Sequence, residues 1–286
     1  TMDTFVDSSW YFLRYVSPDL DEAPFDPERA DDWMPVDQYV GGIEHAVMHL
    51  LYSRFFTKAL ADHEGLAHRE PFTNLLAQGM VQLDGEKMSK SKGNVVSPQR
   101  IVEEYGADTA RLFMMRAAGP ERDFDWSEEG VRSSNRLLDR LKRLVEGFAA
   151  DPPAGERDAA AAYVESEIDA AVAVATPEYD DLSFNVALRE AGELVGTLRS
   201  YREYTEPHAP TYERGLETAV RLFAPVAPHL AEELFGRLGG DGFVADADWP
   251  AVTVDRERAT ERRRLVENTR EDVRQIVEVA GIDDPE

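Results

Sequence analysis

An α/β region followed by an all-α helical bundle is the fold class this sequence predicts, on three observations. Up to about residue 126, short strand-like runs alternate with helix patterns, and most aromatic residues and glycine turns fall there. From about Ser127, amphipathic helical patterns separated by polar breaks take over. Finally, 43% of the 286 residues are hydrophobic, too many for a disordered chain and enough for at least one sizeable core. The predicted segments are 1–126, 127–245 and 246–286, the last a loop and helix that open a further region.

In chain order, DQYVGG (37–42) reads as a buried strand ending in glycines. A helix over 43–61 follows, with Val47, Leu50, Leu51 and Phe55 at helical spacing. A strand, then Gly41-Gly42, then a helix start suits the approach of a nucleotide: glycine lets the backbone come close, and a helix end offers unpaired N–H groups. LLAQGMVQL (75–83) is a second strand-like run, turning at Asp84-Gly85. In SPQRIVEEYG (97–106), Ser97 is placed as N-cap, Pro98 at the first helical position and Gly106 as terminator, and Asp108 is placed to cap the next helix. Bundle helices are predicted near 127–149, 156–175, 181–204 and 211–238, with ADPPAG (150–155) as a turn and Pro225 and Pro228 kinking the last of them. GGDGFVADADWP (239–250) reads as a loop, with or without a short strand, and an arginine-rich helix runs from about 255 to 280.

The chain carries 56 acidic and 31 basic side chains, a formal net charge of -25, with the acids spread along its whole length. Such a surface repels itself in dilute buffer, whereas molar salt shortens the Debye length to roughly 3 Å, so the excess reads as adaptation to a saline cytoplasm. Cysteine is absent, which excludes disulfides and thiolate metal sites. The longest apolar stretches, near 159–164 and 171–175, are too short to cross a bilayer, and the expectation is a soluble cytoplasmic protein. The opening TMDTFVDSSWYFLRY reads as the middle of a structured region, which suggests a chain that begins inside a larger protein.

Lysine occurs only five times, and Lys87, Lys90 and Lys92 all lie in GEKMSKSKGN (85–94). With Ser89, Ser91 and Gly93-Asn94 they make a turn rich in ammonium and hydroxyl groups, for which phosphate is the natural ligand. Taken alone, a solvated basic loop explains the run equally well. KMSKS (87–91), however, resembles the second signature of class I aminoacyl-tRNA synthetases. YVGGIEHAVMHLLYSRF (39–55), with TMDTFVDSSWYFLRY upstream, resembles the leucyl-tRNA synthetase family within that class, and APVAPHLAEELF (224–235) resembles the family's anticodon-binding bundle.

The resemblance implies that the α/β region is half of a Rossmann-type nucleotide-binding domain, and that the reaction is ATP-dependent, with Mg2+. Leucine is activated to leucyl-adenylate and passed to tRNA(Leu). Lys87 and Lys90 would neutralise the pyrophosphate side of the transition state while Ser89 helps hold the loop closed. Lys90, Gly41, Gly42, Glu44 and Met88 would bind ATP, the Glu44 carboxylate suiting ribose hydroxyls. The leucine pocket would draw on Phe5, Ser8, Tyr11, Tyr39, His45 and His49. Spacing separately places His45 and His49 four apart on one helix face. A zinc shared by them is disfavoured, since no third ligand accompanies them, and no metal site is predicted. Without the resemblance, the aromatic residues read as ordinary core and Glu44 as a carboxylate complementing a helix dipole.

VRSSNRLLDRLKRL (131–144) sets Arg132, Arg136, Arg140, Lys142 and Arg143 against the single acid Asp139, and its arginines read either as a tRNA-facing stripe or as a solvated helix face. RERATERRRL (256–265) carries the same two readings. The His-and-Gly signature and the editing domain of the family do not occur in this chain, so the resemblance implies a C-terminal catalytic portion that works with an N-terminal half and an editing domain of the same protein. Half a parallel sheet would leave open edges and an uncovered apolar face. The rival readings are a synthetase for isoleucine, valine or methionine, and a non-catalytic tRNA-binding or assembly protein descended from a synthetase.

Overall fold

The computed structural model describes residues 3–89, 91–253 and 256–280, without the side chains of 256–260, 262, 267, 270 and 278; Lys90 lies outside the described residues. The chain divides into two compact units, 1–88 with 120–125, and 89–119 with 126–286. One division, between 125 and 126, falls at the change of texture near residue 127, while the earlier stretch 89–119 also packs with the helical unit. Two helices of that stretch, α5 (Pro98–Tyr105) and α6 (Ala107–Ala117), belong to the helical unit, and Leu112 of α6 lies fully buried in its core.

In the first unit, α1 (Thr4–Ser8), α2 (Tyr11–Tyr15) and α3 (Pro27–Trp33) precede β1 (Val36–Gly42), and α4 (His49–His63) leads to β2 (Phe72–Gln78). The two strands pair in parallel, with Val36 opposite Phe72 and Gly42 opposite Gln78. Asp26 caps α3, its carboxylate accepting from the Glu28 and Arg29 N–H groups, and Pro27 opens the helix where its missing N–H costs nothing. The small core holds Phe12, Leu13, Phe25, Ala30 and Leu66. Of the aromatic residues that read as ordinary core, Phe12 is buried whereas Tyr15 is 74% exposed.

The helix predicted over 43–61 is two pieces. A 3-10 turn covers Ile43–His45 and α4 begins only at His49, because the chain leaves the extended strand at Gly42 and tightens before a full α-turn can form. Val47 thus precedes the helix, and it, Leu51 and Phe55 are exposed, as are Val40 and Leu75 on the sheet. The apolar face that the periodicity marks is one this unit leaves uncovered.

The strand-like run 75–83 also divides. A side chain on Gly79 would place its Cβ 2.2 Å from the Arg122 carbonyl carbon, and the Gly79 N–H donates to the Pro120 carbonyl at 2.9 Å, so the strand breaks there. β3 (Val81–Leu83) then pairs antiparallel with β4 (Glu86–Lys87) and parallel with β5 (Phe124–Asp125). Asp84 and Gly85 both have positive φ, 54° and 75°, the backbone a two-residue hairpin needs, and the Asp125 carboxylate accepts from the Gly85 N–H at 2.7 Å.

The helical unit continues with α7 (Glu128–Ala150), α8 (Ala159–Asp180), α9 (Phe184–Tyr204), α10 (Ala209–Phe223), α11 (Pro228–Arg237) and α12 (Arg256–Ala280). Ser127 and Asp158 cap α7 and α8 through their side chains, whereas Ser97 occupies the N-cap position of α5 without a side-chain bond. The helix predicted over 211–238 is broken into α10 and α11 around Pro225 and Pro228 rather than kinked. Asp108 does not cap α6, which already contains it. Its carboxylate instead accepts from the Leu230 N–H at 2.7 Å, and so caps α11. Leu141, Ile168, Leu188, Leu198, Leu216 and Phe223 fill the core, and α8 is buried nearly all round from Ile168 to Ala173, the pattern of a central helix. No described helix is long and apolar enough to cross a membrane.

Candidate functional site

The carboxyl end of β1 carries the first group of predicted site residues, the end of a parallel strand at which ligands of α/β folds usually bind. Tyr39 stacks on Phe72 of the paired strand with ring centroids 3.9 Å apart, which fixes its ring plane. Its hydroxyl shares hydrogen bonds with the Tyr11 hydroxyl at 3.0 Å and with His49 Nε2 at 2.6 Å. Burial, then the hydrogen bond to Tyr11, pushes the Tyr39 phenol well above its ordinary pKa. Burial, then the neighbouring His45, pulls the His49 imidazole down. Both shifts favour the neutral forms, leaving a relay of hydroxyl, hydroxyl and imidazole whose bond direction follows the His49 tautomer.

His45 and His49 do not share a face of one helix. His45 sits in the 3-10 turn and His49 is the first residue of α4, with ring centroids 6.3 Å apart. Phe5 stacks on Tyr52 at 4.8 Å, and the Ser8 hydroxyl donates to the Phe5 carbonyl at 2.9 Å, so this hydroxyl is engaged by its own helix. Phe72 and Tyr52, which orient Tyr39 and Phe5, carried no sequence signal. Only the parallel register brings Phe72 beside a tyrosine on the other strand.

Gly41 and Gly42 end β1. A Cβ on Gly41 would meet nothing within 4 Å, and one on Gly42 would lie 2.5 Å from Glu44 Oε2, because the Glu44 side chain folds back over the strand end. Glu44 Oε1 is 4.0 Å from Lys87 Nζ. Both groups are largely exposed, so this pair holds them together only weakly. Met88, next in the chain, is half-buried.

In the second unit the turn after Met88 closes on itself. The Asn94 side-chain oxygen accepts from the Ser89 N–H at 2.9 Å, the Ser89 carbonyl accepts from the Lys92 and Gly93 N–H groups, and the Ser89 and Ser91 hydroxyls bond at 2.8 Å. Gly93 has φ +72°, which glycine alone adopts without strain.

The arginine run on α7 is less uniform than its spacing implies. Arg132 and Arg136 pair with Glu129, at 3.2 and 2.6 Å, Arg143 is exposed, and Arg140 lines a cleft. In the later run Arg263 is buried against Glu167 and Glu190 and serves packing. Among the described residues no group of three or more His, Cys, Asp or Glu side chains could hold a metal ion.

Comparison with known proteins gives these features a context. Residues 1–127 match the family of class I tRNA synthetases for isoleucine, leucine, methionine and valine, and residues 161–284 match the anticodon-binding domain of tRNA ligases. The leucine–tRNA ligase of Halobacterium salinarum is 58% identical over this entire chain, and that of Geotalea uraniireducens is 48% identical over 88% of it. A LeuRS of Agrobacterium radiobacter, solved as a ternary complex with tRNA and LeuAMS, superposes with a TM-score of 0.78 at 35% identity, over 88% of this chain and 34% of that one. Mycobacterium tuberculosis methionyl-tRNA synthetase shares the fold, with a TM-score of 0.62 at 23% identity, over 81% of this chain and 49% of its own.

Fold and matches together define a segment of a class I aminoacyl-tRNA synthetase. Within that class, the chain is similar to leucine–tRNA ligases, and it spans about a third (32%) of the length of the Halobacterium relative. The acidic composition agrees with the halophilic origin of that relative.

Proposed function

We propose that this chain supplies the second half of the catalytic fold and the tRNA-binding bundle of a cytoplasmic leucine–tRNA ligase. In the first step the leucine carboxylate attacks the α-phosphorus of ATP, the bond to the bridging oxygen breaks, and pyrophosphate leaves. In the second, a hydroxyl of the terminal tRNA ribose attacks the adenylate carbonyl and AMP leaves. The observation that carries this reading is the approach of Glu44, at the strand end, to Lys87, at the head of KMSKS, within one unit.

Gly41 and Gly42 leave the strand end open to a nucleotide, Glu44 accepts from ribose hydroxyls, and Met88 packs beside them. Lys87 and Lys90 neutralise charge that builds on the departing pyrophosphate, a role for compact mobile cations that needs no covalent nucleophile. Ser89 ties the turn together. Phe5, Ser8, Tyr11, Tyr39, His45 and His49 form the leucine side, where the hydrogen-bonded Tyr11–Tyr39–His49 relay can orient the amino acid. ATP would arrive as its Mg2+ complex. The described side chains offer no cage for the ion, so no step is assigned to it.

Arg132, Arg136, Arg140 and Arg143 lie toward the tRNA. The exposed Val40, Leu75, Leu51 and Phe55 fit burial against the N-terminal half of the fold, since parallel sheets are normally covered on both faces. A leucine pocket rejects near-isosteres by only ~1–3 kcal/mol per methylene, which leaves proofreading to the editing domain.

The test is charging of tRNA(Leu) by the complete ligase in molar KCl. Leucine should be attached in preference to isoleucine, valine and methionine. Preference for one of those three would replace the leucine assignment, and no charging at all would remove the enzyme reading.

A further inference from the structure

Lys87 stands on a small platform. β4 is two residues long, and both of them are exposed in its hairpin with β3. None of residues 79–88 is buried, and the first unit's core of Phe12, Leu13, Phe25, Ala30 and Leu66 takes nothing from this sheet. A lone two-stranded hairpin is marginal in water, so apolar burial does not explain how Lys87 is held 4.0 Å from Glu44.

The segment 120–125, which belongs to the first unit although it lies beyond residue 88, supplies the support. The Pro120 carbonyl accepts from the Gly79 N–H at 2.9 Å and the Met80 carbonyl from the Phe124 N–H at 3.1 Å, which joins β5 to the hairpin as a third strand. Two carboxylates add to this ladder. Asp123 accepts from the Met80 N–H at 2.6 Å on one oxygen and from the Gln82 amide at 3.2 Å on the other, at the base of the hairpin. Asp125 accepts from the Gly85 N–H at 2.7 Å, within the left-handed Asp84-Gly85 turn and outside the registered pairs Gln82–Lys87 and Leu83–Glu86. In a chain of 56 acidic residues one surface aspartate says little by itself. Two that each accept from a backbone N–H of the same hairpin say more.

Register ties these bonds to the lysine. Gln82 lies opposite Lys87 on β4 and opposite Asp125 on β5, so the three residues form one row across the sheet. With strands ~4.8 Å apart, Asp125 is about 10 Å from Lys87, backbone to backbone, and its bond fixes the strand pair rather than the ammonium.

We infer that Asp123 and Asp125 are positioning residues for the departure of pyrophosphate. They hold the β3–β4 hairpin in the register that presents Lys87 to the phosphates, and they touch no substrate themselves. The inference rests on the ligase reading and deepens it. A cation that meets transition-state charge works through preset geometry, and a misplacement of about 1 Å can cost ~100-fold in rate.

The test compares the two half-reactions of the complete ligase in molar KCl. Pyrophosphate takes part in adenylate formation, read by leucine-dependent exchange into ATP, and takes no part in transfer of leucine from preformed adenylate to tRNA(Leu). The Asp123→Ala/Asp125→Ala variant should lose ~10–100-fold in exchange, with transfer within about 2-fold of the wild type. The Asp123→Asn/Asp125→Asn variant keeps an acceptor oxygen on each side chain without the charge, and should recover most of the exchange. In a Lys87→Ala background the alanine pair should lower exchange by less than about 3-fold more, because the group it positions is gone. If the alanine pair fails to fold, the single Asp125→Ala variant, which gives up one hydrogen bond, carries the same comparisons.

Unchanged exchange in the alanine variant would overturn the inference and leave the ligase reading standing. Equal losses in exchange and transfer would mark a general structural role, and a loss that asparagine does not restore would mark an electrostatic one; either overturns it as well. So would an undiminished loss in the Lys87→Ala background. A wild type that shows no leucine-dependent exchange overturns the ligase reading and this inference with it.

Discussion

Tyr39 and His49 share a 2.6 Å hydrogen bond between the phenol oxygen and Nε2, linking the middle of β1 to the first residue of α4. The Tyr39 ring is clamped on Phe72 and its oxygen also meets Tyr11, so one side chain ties two strands and two helices together. Replacing Tyr39 by Phe keeps the stack but strips Tyr11 and His49 of their shared partner. We expect a loss of about 1–3 kcal/mol in stability from the two unsatisfied groups, and a raised KM for leucine. Denaturant unfolding and steady-state charging check both, and a variant unchanged in KM would remove Tyr39 from the leucine side.

The same contact sets a pH dependence. His49 is held below the ordinary imidazole pKa by burial and then by His45, so the folded state prefers the neutral ring. Its contribution to stability is complete above the unfolded value and is lost as pH falls through that value to the depressed one. An NMR titration of the His49 ring should give an apparent pKa below that of a free imidazole. A midpoint at or above the free value contradicts the packing described here.

Arg263 of α12 lies 3.2 Å from Glu167 on α8 and bonds to Glu190 on α9, with all three side chains at or below 10% exposure. Arg263→Ala would remove the cation that Glu167 and Glu190 share, leaving Glu190 only the longer 3.5 Å pair with Arg189, at a cost of about 3–5 kcal/mol. Arg264, one residue on and exposed, should tolerate the same change within about 0.5 kcal/mol. Paired melts of the two variants in molar KCl measure the difference, and equal stabilities would mean that α12 is not held by this triad.

A net charge of -25 spread over the whole length should make the fold salt-dependent. Screening relieves self-repulsion, and each ~1 kcal/mol gained raises the unfolding midpoint by about 2–4 °C for a chain of this size. The melting temperature should climb as KCl approaches molar concentration. A flat or falling dependence would contradict the reading of the acids as adaptation to saline solvent.

The sequence showed the bundle well because amphipathic repeats and prolines at helix ends are local signals, as at Pro98 and Pro228. It misplaced what depends on partners far along the chain. Gly79 breaks a run of strand formers because the Arg122 backbone presses on it, and Asp108, inside its own helix, caps one more than a hundred residues later. The candidate site was read from KMSKS and the two glycines, whose chemistry is written in neighbouring residues. Phe72 and Tyr52 carried no such signal, since parallel register and helix packing alone bring them beside Tyr39 and Phe5.

The central claim is that ammonium groups of KMSKS stabilise pyrophosphate departure as leucyl-adenylate forms. Leucine-dependent exchange of pyrophosphate into ATP, by the complete ligase in molar KCl, tests it most directly. Lys90→Ala should lower the exchange rate by about 10²–10³ without changing the melting temperature, the usual effect of removing one group that meets transition-state charge. Exchange at the wild-type rate in that variant would contradict the claim.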